Sequence, residues 1–520
     1  MSKQLVKSTA VVVTMTLISR VFGFMRDMVT AYYFGAGALF DAFAMAFKIP
    51  NFMRRLFAEG SFSQAFVPVL AEHQKKNTEE ETKQFINAVA GSLSVALLIV
   101  TVIGIVFAPL LVSLFAPGFL ATDHRYELTV TMLRITFPYL FLISLTALSG
   151  AILNTYHRFW VAAFTPVFLN IVMIMAAMFL SPQFKTPIIG LAWGVFIAGI
   201  IQLLFQIPFL KQLRLLPKPR IAFHDPGVKR VLTLMVPALF GVSVGQINLM
   251  VDTFFVSFLT VGSVSWLYYS DRLMEFPLGV FGVAISTVIL PNLSRHHASE
   301  SPGLFAFTLD WALRAILLMG IPATLALTIL SGPILSTLFQ HGHFHAHSVR
   351  MAQQSLIAFA LGITPFMLVK ILAAGFYAKQ DMKTPVRVGV IAMFANIIFN
   401  VGLIWPLKHA GIALATTLAA IVNSGLLFYL LRKSQFYAPR AGWMLFLLRL
   451  AITNTVIAIA LYYGAADLNT WTTQTIEWRI QHLAVLLIGA VVAYFPLLWL
   501  TGMRIEDLLI PKIVDPMLAK

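Results

Sequence analysis

Long apolar stretches recur along the whole chain, and they constrain its fold more than any other feature. Fourteen can be marked, at 10–34, 39–71, 85–115, 128–154, 160–181, 187–210, 230–260, 263–293, 309–338, 351–378, 387–406, 410–431, 443–465 and 480–502. A helix needs roughly 20 residues to cross the hydrocarbon core of a bilayer. The connecting loops are short, and the longest, around 211–229, is too small to fold alone. These features predict an all-α polytopic membrane protein with 14 transmembrane helices. Composition agrees: charged residues make up 11% of the chain, against about 25% in a soluble domain. The second and eighth stretches are the least hydrophobic and carry Pro50 and Pro277, where bends are expected.

The formal net charge of +16 would point to nucleic acid in a soluble protein. In a membrane chain it first has to be tested against topology. With both termini in the cytoplasm, the cytoplasmic segments hold 22 Lys and Arg, the outer segments five (Arg125, Lys185, Arg350, Lys408 and Arg479), and the spans the remaining ten of 37. That asymmetry satisfies the positive-inside rule, and the reversed orientation violates it. The apolar run after Lys3 and Lys7 continues past Arg26 without a small-residue cleavage site, so it reads as a retained first span. No nucleic-acid partner is expected. The absence of Cys excludes disulfides and thiolate metal sites. No Walker A or HExxH sequence is present, so neither ATP-driven transport nor a metalloprotease has sequence support, and no cofactor is expected.

An internal repeat is visible. Gly150–Trp160 and Gly375–Pro385 each end one span, form a short basic loop and open the next. Gly190-Leu-Ala-Trp-Gly matches Gly411-Ile-Ala-Leu-Ala, and Asn170 and Asn396 sit at similar depth. Six spans separate the copies, so both run in the same direction. This predicts two parallel six-helix lobes related by an axis along the membrane normal. The expected divisions are 1–220, 221–436 and 437–520, the last carrying two extra helices and a tail.

Charges inside the spans are the functional signal, because each costs at least about 2.5–3.5 kcal/mol at mid-bilayer. The first span holds Arg20, Arg26 and Asp27. The second holds Asp41, Lys48, Asn51, Arg54, Arg55 and Glu59. The eighth holds Ser265, Asp271, Arg272 and Glu275, and the tenth holds Lys370. Mutual pairing (Arg26 with Asp27 or Asp41, Arg55 with Glu59, Arg272 with Glu275) is one reading. Yet the first two spans carry five bases and three acids, which leaves a cationic surplus. Arg is also the side chain best shaped to grip a phosphate in two-pronged fashion. The sharper reading is a cationic, water-filled central cavity that holds an anionic head group. Asp252, Asn396, Asn400 and Thr416 could supply oxygen ligands to a small cation such as Na⁺, with interhelical hydrogen bonding as the alternative. His341, His343, His345 and His347 alternate in an outer loop and read as solvated. The basic loop 211–230 could lie on anionic lipid head groups or serve topology alone.

The runs Ser19-Arg-Val-Phe-Gly-Phe-Met-Arg-Asp27, Phe47-Lys-Ile-Pro-Asn51, Arg54-Arg-Leu-Phe-Ala-Glu-Gly-Ser-Phe-Ser-Gln-Ala-Phe-Val-Pro68 and Ser263-Val-Ser-Trp-Leu-Tyr-Tyr-Ser-Asp-Arg-Leu-Met-Glu-Phe-Pro277 closely resemble the MurJ/MviN family of lipid II flippases. The resemblance covers essentially the whole chain and includes Gly150-Ala-Ile-Leu-Asn154 and Lys383-Thr-Pro385. It implies the fold of the multidrug/oligosaccharidyl-lipid/polysaccharide exporter superfamily in a bacterial inner membrane. The implied activity is movement of the undecaprenyl-pyrophosphate-linked peptidoglycan precursor, lipid II, from the cytoplasmic to the periplasmic leaflet. The implied cavity arginines are Arg20, Arg26, Arg54 and Arg272, with Asp27, Asp41 and Glu275 beside them. The last two spans would form a groove for the lipid tail, and a Na⁺ site would fall on Asp252, Asn396, Asn400 and Thr416. Expected partners are lipid II, membrane lipids and the cell-wall synthesis machinery, with the protein a monomer. Na⁺, H⁺ or the membrane potential would supply the drive. The rival readings are a flippase for another lipid-linked oligosaccharide and a cation-coupled drug exporter of the same superfamily.

Overall fold

The computed structural model describes residues 3–121, 123–298 and 302–504; the tail from residue 505 and the side chain of Glu59 lie outside the described residues. Every regular element among the described residues is a helix. A bilayer requires this of an unclosed fold, because hydrocarbon offers no partner for a free backbone N–H or C=O. Nine helices among the described residues are long and apolar enough to cross a membrane. Lys3–Phe34 and Ser263–Pro277, which carry intramembrane charges, are not among the nine.

The longest helical stretch, Lys383–Lys433, spans 51 residues but is broken at Lys408, where φ is 50° and ψ is −127°. Two helices therefore meet there at a sharp reversal, at the outer-loop position read from the charge pattern. Gly411 is required just beyond the reversal, because a Cβ there would collide with the Leu403 carbonyl oxygen. Gly190, its match in the repeat, makes the same kind of approach to the backbone of Ser181.

Further geometry recurs between the matched segments. His157 and Gln380 both adopt φ 61°, and Arg214 and Gln435 both adopt φ 57°. Each pair closes its helix with one hydrogen-bond pattern: His157 and Arg158 bond back to Asn154 and Leu153 as Gln380 and Asp381 bond back to Tyr377 and Phe376. These are left-handed helix terminations that satisfy the last carbonyls.

Pro50 and Pro277 do not interrupt their helices. Ala38–Met53 passes directly into a π-helical segment, Arg54–Phe62, and then into Ser63–Lys76. Ser263–Pro277 passes into a π-helical Leu278–Gly282 and then into Val283–Ala298. A proline removes one N–H from the ladder, and a wider turn with i→i+5 bonding re-registers the backbone beyond it.

By packing, the chain forms two compact units: residues 1–265 with 341–344, and residues 266–340 with 345–520. This differs from a division at 220/221, because Pro226–Ser257 packs on Arg54–Phe62 and Ser63–Lys76. In the first unit, Phe62, Phe66 and Phe85 stack in series at 5.2 and 5.9 Å. In the second, Trp443–Gly464 and Ile476–Leu500 pack on each other, and the former also packs on Pro302–Ile329. They share a core built around the fully buried Trp471, so residues 437–504 are part of that unit.

Candidate functional site

The first unit carries most of the intramembrane charge. Arg26 and Asp27 are both buried, and the Arg26 Nε and Nη2 donate to Asp27 Oδ1 at 3.0 and 2.6 Å. Arg26 Nη1 donates to Asn170 Oδ1 at 3.1 Å, and the Asn170 amide donates to the Ser19 carbonyl at 3.1 Å. Asn170 thereby fixes the guanidinium from a second helix. Gly23 faces it across ordinary van der Waals distance, 3.6 Å from where its Cβ would stand. Arg20, one turn and a half earlier, is exposed.

Asp41 is completely buried. Its carboxylate accepts from the Gly262 N–H at 2.7 Å, the Ser265 N–H at 2.9 Å and the Ser265 hydroxyl at 2.5 Å. It therefore caps the start of Ser263–Pro277, where free N–H groups and the helix dipole both favour a negative charge. Arg125, assigned to an outer segment by charge counting, is buried 3.8 Å from Asp41 and stands over the Phe119 ring. Lys48 donates to Thr253 Oγ1 at 3.3 Å. Arg54 and Arg55 open the first π-helical segment and are half-buried, with Arg54 Nε donating to Asn51 Oδ1 at 3.0 Å. The expected partner of Arg55, Glu59, has its side chain outside the described residues.

The second unit holds the smaller set. Arg272 donates to Glu275 at 3.0 Å and lies 5.1 Å from the centroid of the Tyr268 ring. Asp271 and Lys370 are half-buried, and Lys370 packs beside Gly282 in the second π-helical segment. Asn400 donates to Asn396 at 2.5 Å and Asn396 to Thr416 at 3.4 Å. The first bond joins successive turns of one helix, and the second crosses to the helix beyond the break at Lys408. Asp252 belongs to the first unit, next to the Thr253 that receives Lys48. Among the described residues no group of three His, Cys, Asp or Glu could hold a metal ion. His343 instead donates its backbone N–H to the Tyr32 carbonyl, and His347 lies edge-on to Trp266.

Two apolar cavities follow one another along Pro302–Ile329. One, of about 420 Å³, lies between it and the helices Ile363–Ala378 and Lys383–Lys433, lined by Leu313, Leu317, Leu372 and Phe428 with Trp443 at its edge. The other, of about 550 Å³, is lined by Ile321, Ile329 and Tyr462. The seam suits a long hydrocarbon chain. Its end is pinned by buried Asp310, which accepts from Tyr437 at 2.6 Å and Trp443 at 2.7 Å and forms an ion pair with Arg314 at 2.9 Å. Sequence reasoning passed over Asp310. The available signal was an acid opening an apolar stretch with a base four residues later.

The family model described as "Lipid II flippase MurJ" matches residues 30–481. The chain is 47% identical to the "Probable lipid II flippase MurJ" of Vibrio cholerae serotype O1, over 98% of each sequence. It is 42% identical to the "Lipid II flippase MurJ" of Burkholderia cenocepacia, over 94% of this chain and 96% of that one. Among solved structures it is similar to "Lipid II flippase MurJ, inward closed conformation", with a TM-score of 0.79, 28% identity and coverage of 94% and 97%. An inward-facing multidrug transporter of the MATE family shares the fold, with a TM-score of 0.62 at 14% identity over 82% of this chain and 98% of that one.

Proposed function

This chain belongs to the lipid II flippase MurJ family, and from that premise we propose that it moves lipid II from the cytoplasmic to the periplasmic leaflet by alternating access. It is a multi-pass membrane transporter and not an enzyme. The observation that carries the mechanism is the set of arginines held inside apolar helices, where only pairing or work with an anion offsets their cost.

In this reading the pyrophosphate is gripped by Arg26, Arg54 and Arg272, with Arg20, Lys48, Arg55 and Lys370 contributing to the field. Asp27, Asp41, Asn51, Glu59, Ser265, Asp271 and Glu275 hold or balance those bases. The prenyl tail runs along the seam beside Trp443–Gly464. Arg26 gives up part of its bond to Asp27 when the more highly charged pyrophosphate arrives, and Asn170 keeps the guanidinium oriented during the exchange. The finer architecture we propose is fourteen spans, in two parallel lobes of six with two further helices. It sits in a bacterial inner membrane with both termini cytoplasmic and acts as a monomer alongside the cell-wall synthesis machinery. Na⁺, H⁺ or the membrane potential supplies the drive; one elementary charge crossing the field contributes about 2.3 kcal/mol per 100 mV.

Depletion of the protein followed by a leaflet-resolved assay of lipid II tests the function. Accumulation on the cytoplasmic side is expected, and normal periplasmic delivery refutes it. If Asp252 acts with Asn396, Asn400 and Thr416 on Na⁺, Asp252→Ala removes the Na⁺ dependence of transport; an unchanged dependence removes that site from the mechanism.

A further inference from the structure

The first unit also contains a cavity of about 310 Å³ whose wall includes Arg54. It is enclosed by residues of Tyr139–Thr155, Phe159–Met175 and Ile188–Gln212. Its polar lining comes mainly from Thr146, Asn154, Thr165, Gln202 and Gln206, and among the described side chains no carboxylate lines it.

Gln202 and Gln206 stand one helical turn apart, and both are buried. Gln202 is satisfied: its amide donates to the Thr165 carbonyl at 3.2 Å, and its oxygen accepts from the Tyr139 hydroxyl at 3.3 Å. Gln206 is half satisfied. Its Nε2 donates to Thr165 Oγ1 at 2.9 Å, and that hydroxyl donates onward to the Val161 carbonyl at 2.7 Å. Gln206 Oε1 is left buried without a hydrogen-bond partner. A buried acceptor left unpaired is costly, and a donor admitted to the cavity would relieve that cost.

The chemistry of the lining narrows the donor. A cation would share the cavity with Arg54 and find no carboxylate among the described side chains of its wall. A neutral O–H or N–H meets neither objection. Arg54 itself offers a planar fork suited to a phosphate. A neutral donor and a phosphate on one molecule describe a glycosyl phosphate. The volume lies at the small end of ligand sites, about 300–1,000 Å³, which suits one sugar ring and not a whole sugar–peptide head group.

We propose that this cavity is the subsite for the phosphate-proximal sugar of the lipid-linked substrate, with the phosphate at Arg54 and a sugar hydroxyl or N-acyl N–H donating to Gln206 Oε1. The assignment rests on the function proposed above and adds a determinant of head-group specificity to it.

Binding to the purified full-length protein tests it, with lipid II and undecaprenyl pyrophosphate, which lacks the sugar, as the two probes. Gln206→Leu removes the acceptor. Ala147→Leu fills the cavity without removing any hydrogen bond. For both variants lipid II should bind roughly tenfold more weakly, the size of one lost hydrogen bond to a buried group, with undecaprenyl pyrophosphate unchanged. Equal weakening of both probes would overturn the subsite, as would unchanged lipid II binding, which would mark a hydration site only. A wild-type chain that binds the sugar-free probe as well as lipid II would also remove the subsite while leaving pyrophosphate recognition intact. A wild-type chain that binds neither would remove the functional reading as well.

Discussion

Arg26 with Asp27 and Arg272 with Glu275 are superficially the same device, an arginine and an acid close together on one helix. Their settings differ. The first pair keeps 7% and 3% of its side-chain surface exposed, the second 29% and 42%. Removing one partner of a buried pair leaves an uncompensated charge and costs about 3–5 kcal/mol, whereas an exposed pair is worth about 0–1 kcal/mol. The first pair is therefore the more costly to break, and a transport defect means different things at the two sites.

The largest expected effect follows from that difference. Arg26→Ala should abolish flipping and also lower stability by about 3–5 kcal/mol, read as a depressed thermal midpoint in detergent. The double change Arg26→Met with Asp27→Leu should recover most of the stability without recovering transport. Recovery of both would make the pair purely structural. Arg272→Ala should abolish flipping while shifting stability by no more than about 1 kcal/mol. Arg272→Lys, which keeps the charge and loses the fork, should leave partial transport in a leaflet-resolved assay. Full activity of Arg272→Lys would reduce the arginine to a point charge.

The smallest effect lies outside the membrane. Glu72 is held down to about 2 by hydrogen bonds from Lys76 and Arg230 and by their charges. Because the folded-state value is depressed, its contribution is present above the ordinary carboxylate range, near 4.5, and fades as pH falls toward 2. The gap in thermal midpoint between wild type and Glu72→Gln should stay constant from neutral pH to about 5 and narrow below 4.5. A gap that widens on acidification would mean the carboxylate is not the stabilised form.

The charge set was legible in the sequence because burial cost makes any base in an apolar run conspicuous. The Arg272–Glu275 pair was legible from its i, i+3 spacing, whereas Arg26 could be matched with Asp27 or Asp41, and the structure pairs it with Asp27. What escaped were partners whose meaning depends on a second helix. Asn170 showed only its depth, not the bond to Arg26. Asp41 and Ser265 were both picked out, but their union as a helix cap was not, since 224 residues separate them. Gln202 and Gln206 lie in a run so apolar that two amides one turn apart attracted no notice. Proline signalled an irregularity at 50 and 277, but not that a π-helical segment would follow each. Arg125 was read only as a loop charge, because hydropathy cannot see that it opens the helix Asp123–Thr136 and lies buried beside Asp41.

The backbone contact between Tyr32 and His343 has a consequence for synthesis. It requires glycine on both sides: Gly35 (φ 64°) faces the His343 carbonyl and Gly342 (φ 55°) faces the Tyr32 carbonyl, and a Cβ on either would collide. Residues 341–344 thus complete a unit whose other residues all precede position 266. At about 5–20 residues per second, the first helix waits roughly 15–60 s on the ribosome's schedule for that loop. For that interval the nascent chain holds that end of the unit open, and whatever attends it in the membrane must tolerate an unfinished edge.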